Sequence, residues 1–275
     1  MKLENTQKHF RNFMSFQKIL LVGCGKMGSA LLEYWKKGDE DFTIVDPAME
    51  EAPDGVRLFA DRDAIADETF DVVILAIKPQ LIHCVMPDYA ANLAEDGYVL
   101  SIAAGASIRT ISNATGTERI IRVMPNLPAA IGKGASGLTS ADAITVRHKA
   151  HALDLMSRTG GVVTVADEDA LDRVTAVAGS GPGYVFEFAR AYVDAASQLG
   201  IRTEDARKLV LQTMAGTIAL ALDRGDQSLA ELRDDVTSKG GTTAAGLKAL
   251  NGSGAVSRAV EDCLAAAYGR AVQLR

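Results

Sequence analysis

The chain of 275 residues contains little cysteine: Cys24, Cys84 and Cys263 only. That odd set, with neither a CxxC pair nor Cys/His ligand spacing, excludes a disulfide framework and a structural zinc and fits a reducing compartment; no metal site is expected. Basic charge is not in excess either. Lys and Arg number 29 against 35 Asp and Glu, a formal net charge of -6, and the cations are scattered, so no basic face is offered to a phosphate backbone. Nucleic acid is therefore not an expected partner. No apolar run approaches the roughly 20 residues of a membrane span, so no membrane is expected. Residues 1–16 mix charges and amides and lack the apolar run of a secretory signal, which points to a cytoplasmic protein. They are read as a variable leader outside the fold, with Met14 as an alternative translation start.

What is present divides the chain in two. From Lys18 onward, short β-branched runs alternate with helical stretches: 19–22, 42–45, 72–77, 98–102, 120–124 and 161–165. That rhythm predicts an α/β fold with a doubly wound parallel sheet, and runs apolar on both faces fit strands covered by helices on each side. A Rossmann-type dinucleotide-binding domain over 17–166 is expected, followed by an all-α domain over 167–275. In the helical half, Val185, Phe188, Ala189, Tyr192, Ala196 and Leu199 fall at the spacing of one buried stripe, between Pro182 at the helix start and Gly200 at its stop. The next helix, about 209–222, is apolar nearly all round. It needs cover on several sides, from a second copy of the chain or from the centre of a monomeric bundle; a homodimer is the reading taken.

Ile19 to Val22 runs directly into Gly23-Cys24-Gly25-Lys26-Met27-Gly28, and Ala30, Leu31, Leu32 and Trp35 follow at helical spacing. Strand, GxGxxG and helix in this order form a dinucleotide cradle. Gly23 makes the turn, Gly25 admits a pyrophosphate to the backbone, and Gly28 lets helix and strand pack closely. Asp46, at the end of the second predicted strand, can accept from the ribose hydroxyls and repel a 2'-phosphate, favouring NADH; Asp46-Pro47 is equally good turn chemistry. Arg57 and Arg62 lie too far along to rescue NADPH. Two further strand ends, Ala76-Ile77-Lys78-Pro79 and Ser101 to Gly105, should border the cofactor, with Ala103, Ala104 and Gly105 leaving room for a flat ring and Lys78 supplying a cation. Cys24 reads as a small filler of the glycine turn. His9, His83, His148 and His151 stand outside every motif, and none is expected to be a catalytic base.

Several segments together resemble the pyrroline-5-carboxylate reductases: the glycine turn, Ala76 to Gln80, Ser101 to Ser107, Arg122-Val123-Met124-Pro125-Asn126, Gly179-Ser180-Gly181-Pro182 and Asp235 to Thr243, containing Ser238-Lys239-Gly240-Gly241-Thr242-Thr243. The resemblance implies a helical dimerisation domain, reduction of L-1-pyrroline-5-carboxylate to L-proline by NAD(P)H, and a homodimer that assembles into a decamer of five dimers. It leaves NADPH open as the coenzyme. It brings Asn126 to the cofactor and implies Glu168 near the substrate, where a solvated glutamate at a helix start is the alternative. Leu127 stands where Thr is frequent, Lys239 where Pro is frequent, and Asp46 where NADPH users carry small or basic residues.

A cyclic imine bearing a carboxylate needs an anion site and one hydrogen-bonding group. Ser238 reads as an N-cap, and the amides of Gly240, Gly241 and Thr242 open a helix through Leu250 that could hold the carboxylate. By resemblance, Thr243 sets its hydroxyl against the imine nitrogen. An ordinary capped helix start is the alternative for this turn. Two other activities compete. A 3-hydroxyacid dehydrogenase would need a Lys-x-x-Asn base on the helix from about Glu168 to Leu199, which contains no lysine. A non-catalytic dinucleotide-sensing regulator would not need the Ser238–Thr243 turn.

Overall fold

The computed structural model describes residues 16–275. The leader reading for residues 1–15, with His9 and Met14, lies outside the described residues. Eight strands form one sheet: β1 (Lys18–Val22), β2 (Asp41–Val45), β3 (Arg57–Phe59), β4 (Phe70–Leu75), β5 (Leu93–Ser101), β6 (Ile120–Met124), β7 (Gly134–Ser140) and β8 (Gly160–Thr164). Their spatial order is β3-β2-β1-β4-β5-β6-β7-β8, and every neighbouring pair is parallel except β6 with β7. The first six follow the doubly wound order, which reverses between β1 and β4 and opens a crevice there. In register, Val22 lies beside Val45 and Leu75, and Leu75 beside Ser101. The loops beginning at Gly23, Asp46, Ala76 and Ile102 therefore leave the sheet at one edge.

Strand residues alternate between two cores. Ile19, Leu21, Ile44, Val72 and Ile74 feed one, and Leu20, Val22, Val45, Val73 and Leu75 the other. This is why the strands read as unbroken apolar runs. Phe16, assigned to the leader on sequence, is corrected to a core residue: it is 1% exposed and meets the Tyr98 ring edge-on at 5.4 Å.

Two strands were not anticipated. β3 is three residues long and sits at the sheet edge. β7 reads Gly-Ala-Ser-Gly-Leu-Thr-Ser, with poor strand propensity. A Cβ on its Gly137 would come within 2.7 Å of a Val174 methyl and 2.9 Å of a Leu171 methyl. Close packing by the helical segment that carries Leu171 and Val174 outweighs propensity at that position.

The helices are α1 (Lys26–Trp35), α2 (Ile82–Val85), α3 (Ile108–Thr115), α4 (Val146–Ser157), α5 (Glu168–Val174), α6 (Gly181–Gln198), α7 (Thr203–Asp223), α8 (Leu229–Asp235), α9 (Thr242–Asn251) and α10 (Ala255–Leu274). The chain divides into two compact units. The first runs to Ser180 and takes back 267–275; the second is Gly181–Ala266. The division thus falls later than the boundary expected at 166/167, because α5 packs on β7 and the end of α10 returns to the first unit. Within the second unit α6 and α7 pack against each other, yet Leu209, Ile218 and Leu222 of α7 are largely exposed. Of the predicted α6 stripe only Ala189 is buried, while Val185, Phe188, Tyr192 and Leu199 remain exposed in the single chain. Among the described residues, no helix is long and apolar enough to cross a membrane.

Candidate functional site

The glycine turn is built as its sequence requires. Gly23 has φ +81°, and a Cβ there would come within 2.7 Å of an Ile77 methyl. At Gly28, a Cβ would press on Ala76 at 3.3 Å. Gly25 differs: its backbone is extended and a Cβ would meet no protein atom within 4 Å. Glycine at 25 is thus demanded neither by torsion nor by packing within the chain. Gly25 is also the N-cap of α1, with no side-chain cap bond and no acidic residue in the first turn. The first amides of α1, from Lys26, Met27 and Gly28, and the positive end of the helix dipole are left for an external anion.

The neighbouring loops close on this turn. Gly23 N–H donates to Val45 O and Ala76 N–H to Val22 O, both at 2.9 Å, and Ile102 N–H donates to Leu75 O at 3.0 Å. Lys78 is exposed and precedes a short helical turn beginning at Pro79. The Asp46 carboxylate accepts from Cys24 N–H at 2.6 Å with one oxygen and from Ala48 N–H at 2.8 Å with the other. Asp46 therefore braces the glycine turn and also makes the expected Asp-Pro turn. Burial, and next the Asp46 charge, push the Cys24 thiol up to about 11, so it stays protonated. Arg57 is paired in two-pronged fashion with Glu68 at 2.8 and 2.5 Å, and Arg62 donates to Asn92 at 3.2 Å. Both guanidinium groups are committed away from Asp46.

Asn126 is 7% exposed. It donates its amide N–H to Ala178 O at 3.0 Å and accepts from Ala135 N–H at 2.8 Å. That amide, expected at the cofactor, is committed to the protein itself.

Glu168 is not the solvated helix-start residue of the alternative reading. Its Oε1 accepts from Arg122 Nη1 at 2.5 Å and from Ile108 N–H at 2.8 Å. Arg122, 5% exposed within the apolar β6, needs such a partner. Asp172, 4% exposed, faces Arg275 at 3.3 Å; burial raises its pKa, with Arg275 and Arg122 opposing the rise. Asp169 accepts from the Tyr268 hydroxyl at 2.6 Å. The sequence singled out Glu168 but not its pairing with Arg122, although a charged residue inside the run Ile-Ile-Arg-Val-Met was the available signal. His148 contacts the Asp96 carbonyl and His151 the Tyr98 hydroxyl; both are structural.

The remaining predicted residues lie in the second unit. Ser238 to Gly241 form a turn closed by Gly241 N–H on Ser238 O at 3.0 Å, with Gly240 at φ +74°. The N-cap of α9 is Gly241, not Ser238 as expected, and no side chain caps the helix. Ser238 stands three positions before the cap. The first amides, including those of Thr242 and Thr243, have no intrahelical partner, and both threonines are exposed. Among the described residues, no group of His, Cys, Asp and Glu could hold a metal.

Residues 168–274 match the family profile of pyrroline-5-carboxylate reductase dimerisation, and residues 18–105 that of NADP oxidoreductase, coenzyme F420-dependent. The pyrroline-5-carboxylate reductase of Pseudomonas aeruginosa is 35% identical over 271 residues, covering 95% of this chain and 98% of that protein. That of Methanosarcina acetivorans is 35% identical over 254 residues, covering 88% and 92%. The structure of a pyrroline-5-carboxylate reductase from Coxiella burnetii superposes with a TM-score of 0.87 at 32% identity, covering 94% of this chain and 99% of that one. The Plasmodium falciparum pyrroline carboxylate reductase with NADP bound superposes with a TM-score of 0.81 at 26% identity, covering 95% and 98%.

Proposed function

The chain belongs to the pyrroline-5-carboxylate reductase family, and from that premise we propose how its own residues serve the reaction. It is an NAD(P)H-dependent oxidoreductase acting on a cyclic C=N bond, converting L-1-pyrroline-5-carboxylate to L-proline. It acts as a homodimer through its helical half.

The observation that carries the site assignment is a pair of helix N-termini without side-chain caps or acidic first turns, α1 behind Gly23–Gly25 and α9 behind Ser238–Gly241. One suits a pyrophosphate and the other a carboxylate. Gly23, Gly25, Lys26, Met27 and Gly28 hold the pyrophosphate. Ala76, Lys78, Pro79, Ala103, Ala104 and Gly105 border the dinucleotide at the same sheet edge, and Asn126 fixes the backbone beside them. Ser238, Gly240, Gly241 and Thr242 form the carboxylate pocket. Thr243 directs its hydroxyl to the imine nitrogen. Glu168 serves through Arg122 and Ile108 N–H, which its Oε1 holds.

The dinucleotide supplies the hydride. A threonine hydroxyl is a poor proton donor, so the imine is taken up as iminium or protonated through water, and Thr243 orients it. Most of the rate then comes from positioning the reactants and excluding water. NADH is the favoured coenzyme. Asp46 places negative charge where a 2'-phosphate would sit, and Arg57 and Arg62 are engaged by Glu68 and Asn92. The functional domains are 17–166 for the dinucleotide and 167–275 for dimerisation and substrate, a division supported by a dimerisation match that begins at residue 168. Dimers assemble in fives into a decamer, and the enzyme is cytoplasmic.

Coenzyme absorbance followed with NADH and with NADPH, before and after adding pyrroline-5-carboxylate, tests the reading. Substrate-dependent oxidation is expected, faster with NADH. Oxidation of neither coenzyme overturns the activity, and a preference for NADPH overturns the Asp46 argument alone.

A further inference from the structure

Helix α5 carries three carboxylates, and each grips a different part of the first unit. Glu168 binds the α3 start at Ile108 N–H and the buried Arg122 of β6. Asp169 accepts from Tyr268 on α10, and Asp172 faces Arg275, the residue after the last turn of α10. The return of α10 has a second consequence. Gly105 has φ +78°, and a Cβ there would come within 2.6 Å of Leu274 O and 3.3 Å of Leu274 Cβ. The Leu274 backbone thus lies directly against the loop that follows β5.

That loop is therefore held at two points in its later half. Ile108, just after it, is tied to Glu168; Gly105, within it, is backed by Leu274, whose neighbour Arg275 is tied to Asp172. Both ties lead to one helix. Ala104, just before Gly105, is exposed, while Ala103 and Ala106 are buried and anchor the loop to the sheet.

We propose that α5, through Glu168 and through the Asp172–Arg275 pair, is a positioning element for the Ala103–Gly105 loop, and that Arg275 and Leu274 set its height against the dinucleotide. The proposal rests on the reading that this loop borders the coenzyme. Arg275 and Glu168 are positioning residues, since neither is assigned a contact with coenzyme or substrate. A loop free to move by about an ångström loses alignment with the ring it supports, and such displacements are costly in rate or affinity.

The test uses the single tryptophan, Trp35, whose emission is quenched by energy transfer to bound NADH, so binding is read without turnover. Ala104→Leu tests the underlying reading: coenzyme affinity should fall, and unchanged affinity removes the loop from the coenzyme site and the proposal with it. Arg275→Ala should weaken NADH binding about 5- to 20-fold, raise the coenzyme KM in parallel, and leave kcat at saturation within about twofold. Arg275→Lys, which keeps a cation beside Asp172, should recover most of that affinity. If Ala104→Leu impairs binding while Arg275→Ala only lowers the melting temperature, the loop reading stands and the positioning role is overturned.

Discussion

The side-chain amide of Asn126 donates to the carbonyl oxygen of Ala178 at 3.0 Å. In an uninterrupted α-helix that carbonyl would accept from residue 182, but residue 182 is proline and has no N–H to give. The backbone widens there into a π-turn over Thr175–Gly179, with Ser180 N–H on Thr175 O at 2.9 Å. Such turns are frequent at functional sites. Two motifs far apart in sequence, Met124-Pro125-Asn126 and Gly179-Ser180-Gly181-Pro182, are thus halves of one hydrogen-bonding arrangement.

Replacing Asn126 with Asp should therefore destabilise the fold, because an acceptor would face the Ala178 acceptor while the bond from Ala135 is kept. A loss on the order of 2–3 kcal/mol is expected, against roughly 1 kcal/mol at a surface amide. Urea unfolding at neutral pH measures it. A midpoint unchanged from the wild type would mean that Ala178 finds another donor and that Asn126 is dispensable.

Much of this architecture was legible from residues alone, for identifiable reasons. Ile19 to Gly28 states strand, turn and helix in one uninterrupted phrase, and Gly23 and Gly28 answer local demands of torsion and packing. β7 was hidden because Gly137 is explained by a neighbour more than thirty positions later, the Val174 methyl that a Cβ would strike. Phe16 was hidden because one aromatic beside a charged leader has no period to reveal it. The carboxylates of α5 were hidden for a related reason. Glu168 and Asp172 sit one helical turn apart and look like a solvated face until Arg122 and Arg275 are brought to them by tertiary structure. The exposed apolar residues of α6 and α7 follow the buried-stripe pattern faithfully; what the single chain lacks is the surface that covers them.

Asp46 has two duties, and the coenzyme prediction must separate them. Asp46→Ser keeps a short hydroxyl acceptor while removing the negative charge. The ratio of kcat/KM for NADPH to that for NADH should rise by about tenfold, as expected from relieving one charge repulsion of order 1.4 kcal/mol. If the variant loses both coenzymes equally, the bond to Cys24 N–H is the dominant duty and the ribose contact is wrong. Steady-state kinetics with each coenzyme at several concentrations distinguishes the two.

Acid should weaken the first unit through Glu40. Burial alone would raise its pKa, but the His151 ring nitrogen 3.6 Å away, the paired hydrogen bonds from Arg158 and the Arg158 charge hold it down to about 2. A depressed carboxylate contributes stability above its unfolded value, near 4.5, and that contribution is lost as pH falls toward 2. The wild type should exceed Glu40→Gln by about 2 kcal/mol at pH 6, after allowing for solvent screening, and the gap should close progressively below pH 4. Denaturant midpoints at pH 6, 4 and 3 supply the comparison; a gap independent of pH would place the stabilisation elsewhere.

The most direct prediction concerns Thr243, on the first turn of α9. Its amide lies among the N–H groups left open by the Ser238–Gly241 turn, and its hydroxyl is the group assigned to the imine nitrogen. Valine preserves the shape of the side chain and the backbone amide, and removes only the hydroxyl. Thr243→Val should therefore keep the coenzyme affinity near that of the wild type and lower kcat by about 10- to 100-fold, the size expected for losing one orienting hydrogen bond at the reacting centre. Thr243→Ser, which retains the hydroxyl on a more mobile side chain, should fall between the two. Because the substrate carboxylate is assigned to backbone amides and not to this hydroxyl, the KM for pyrroline-5-carboxylate should change less than kcat does. A kcat unaffected in Thr243→Val would show that the helix terminus alone positions the imine and would remove the hydroxyl from the chemistry.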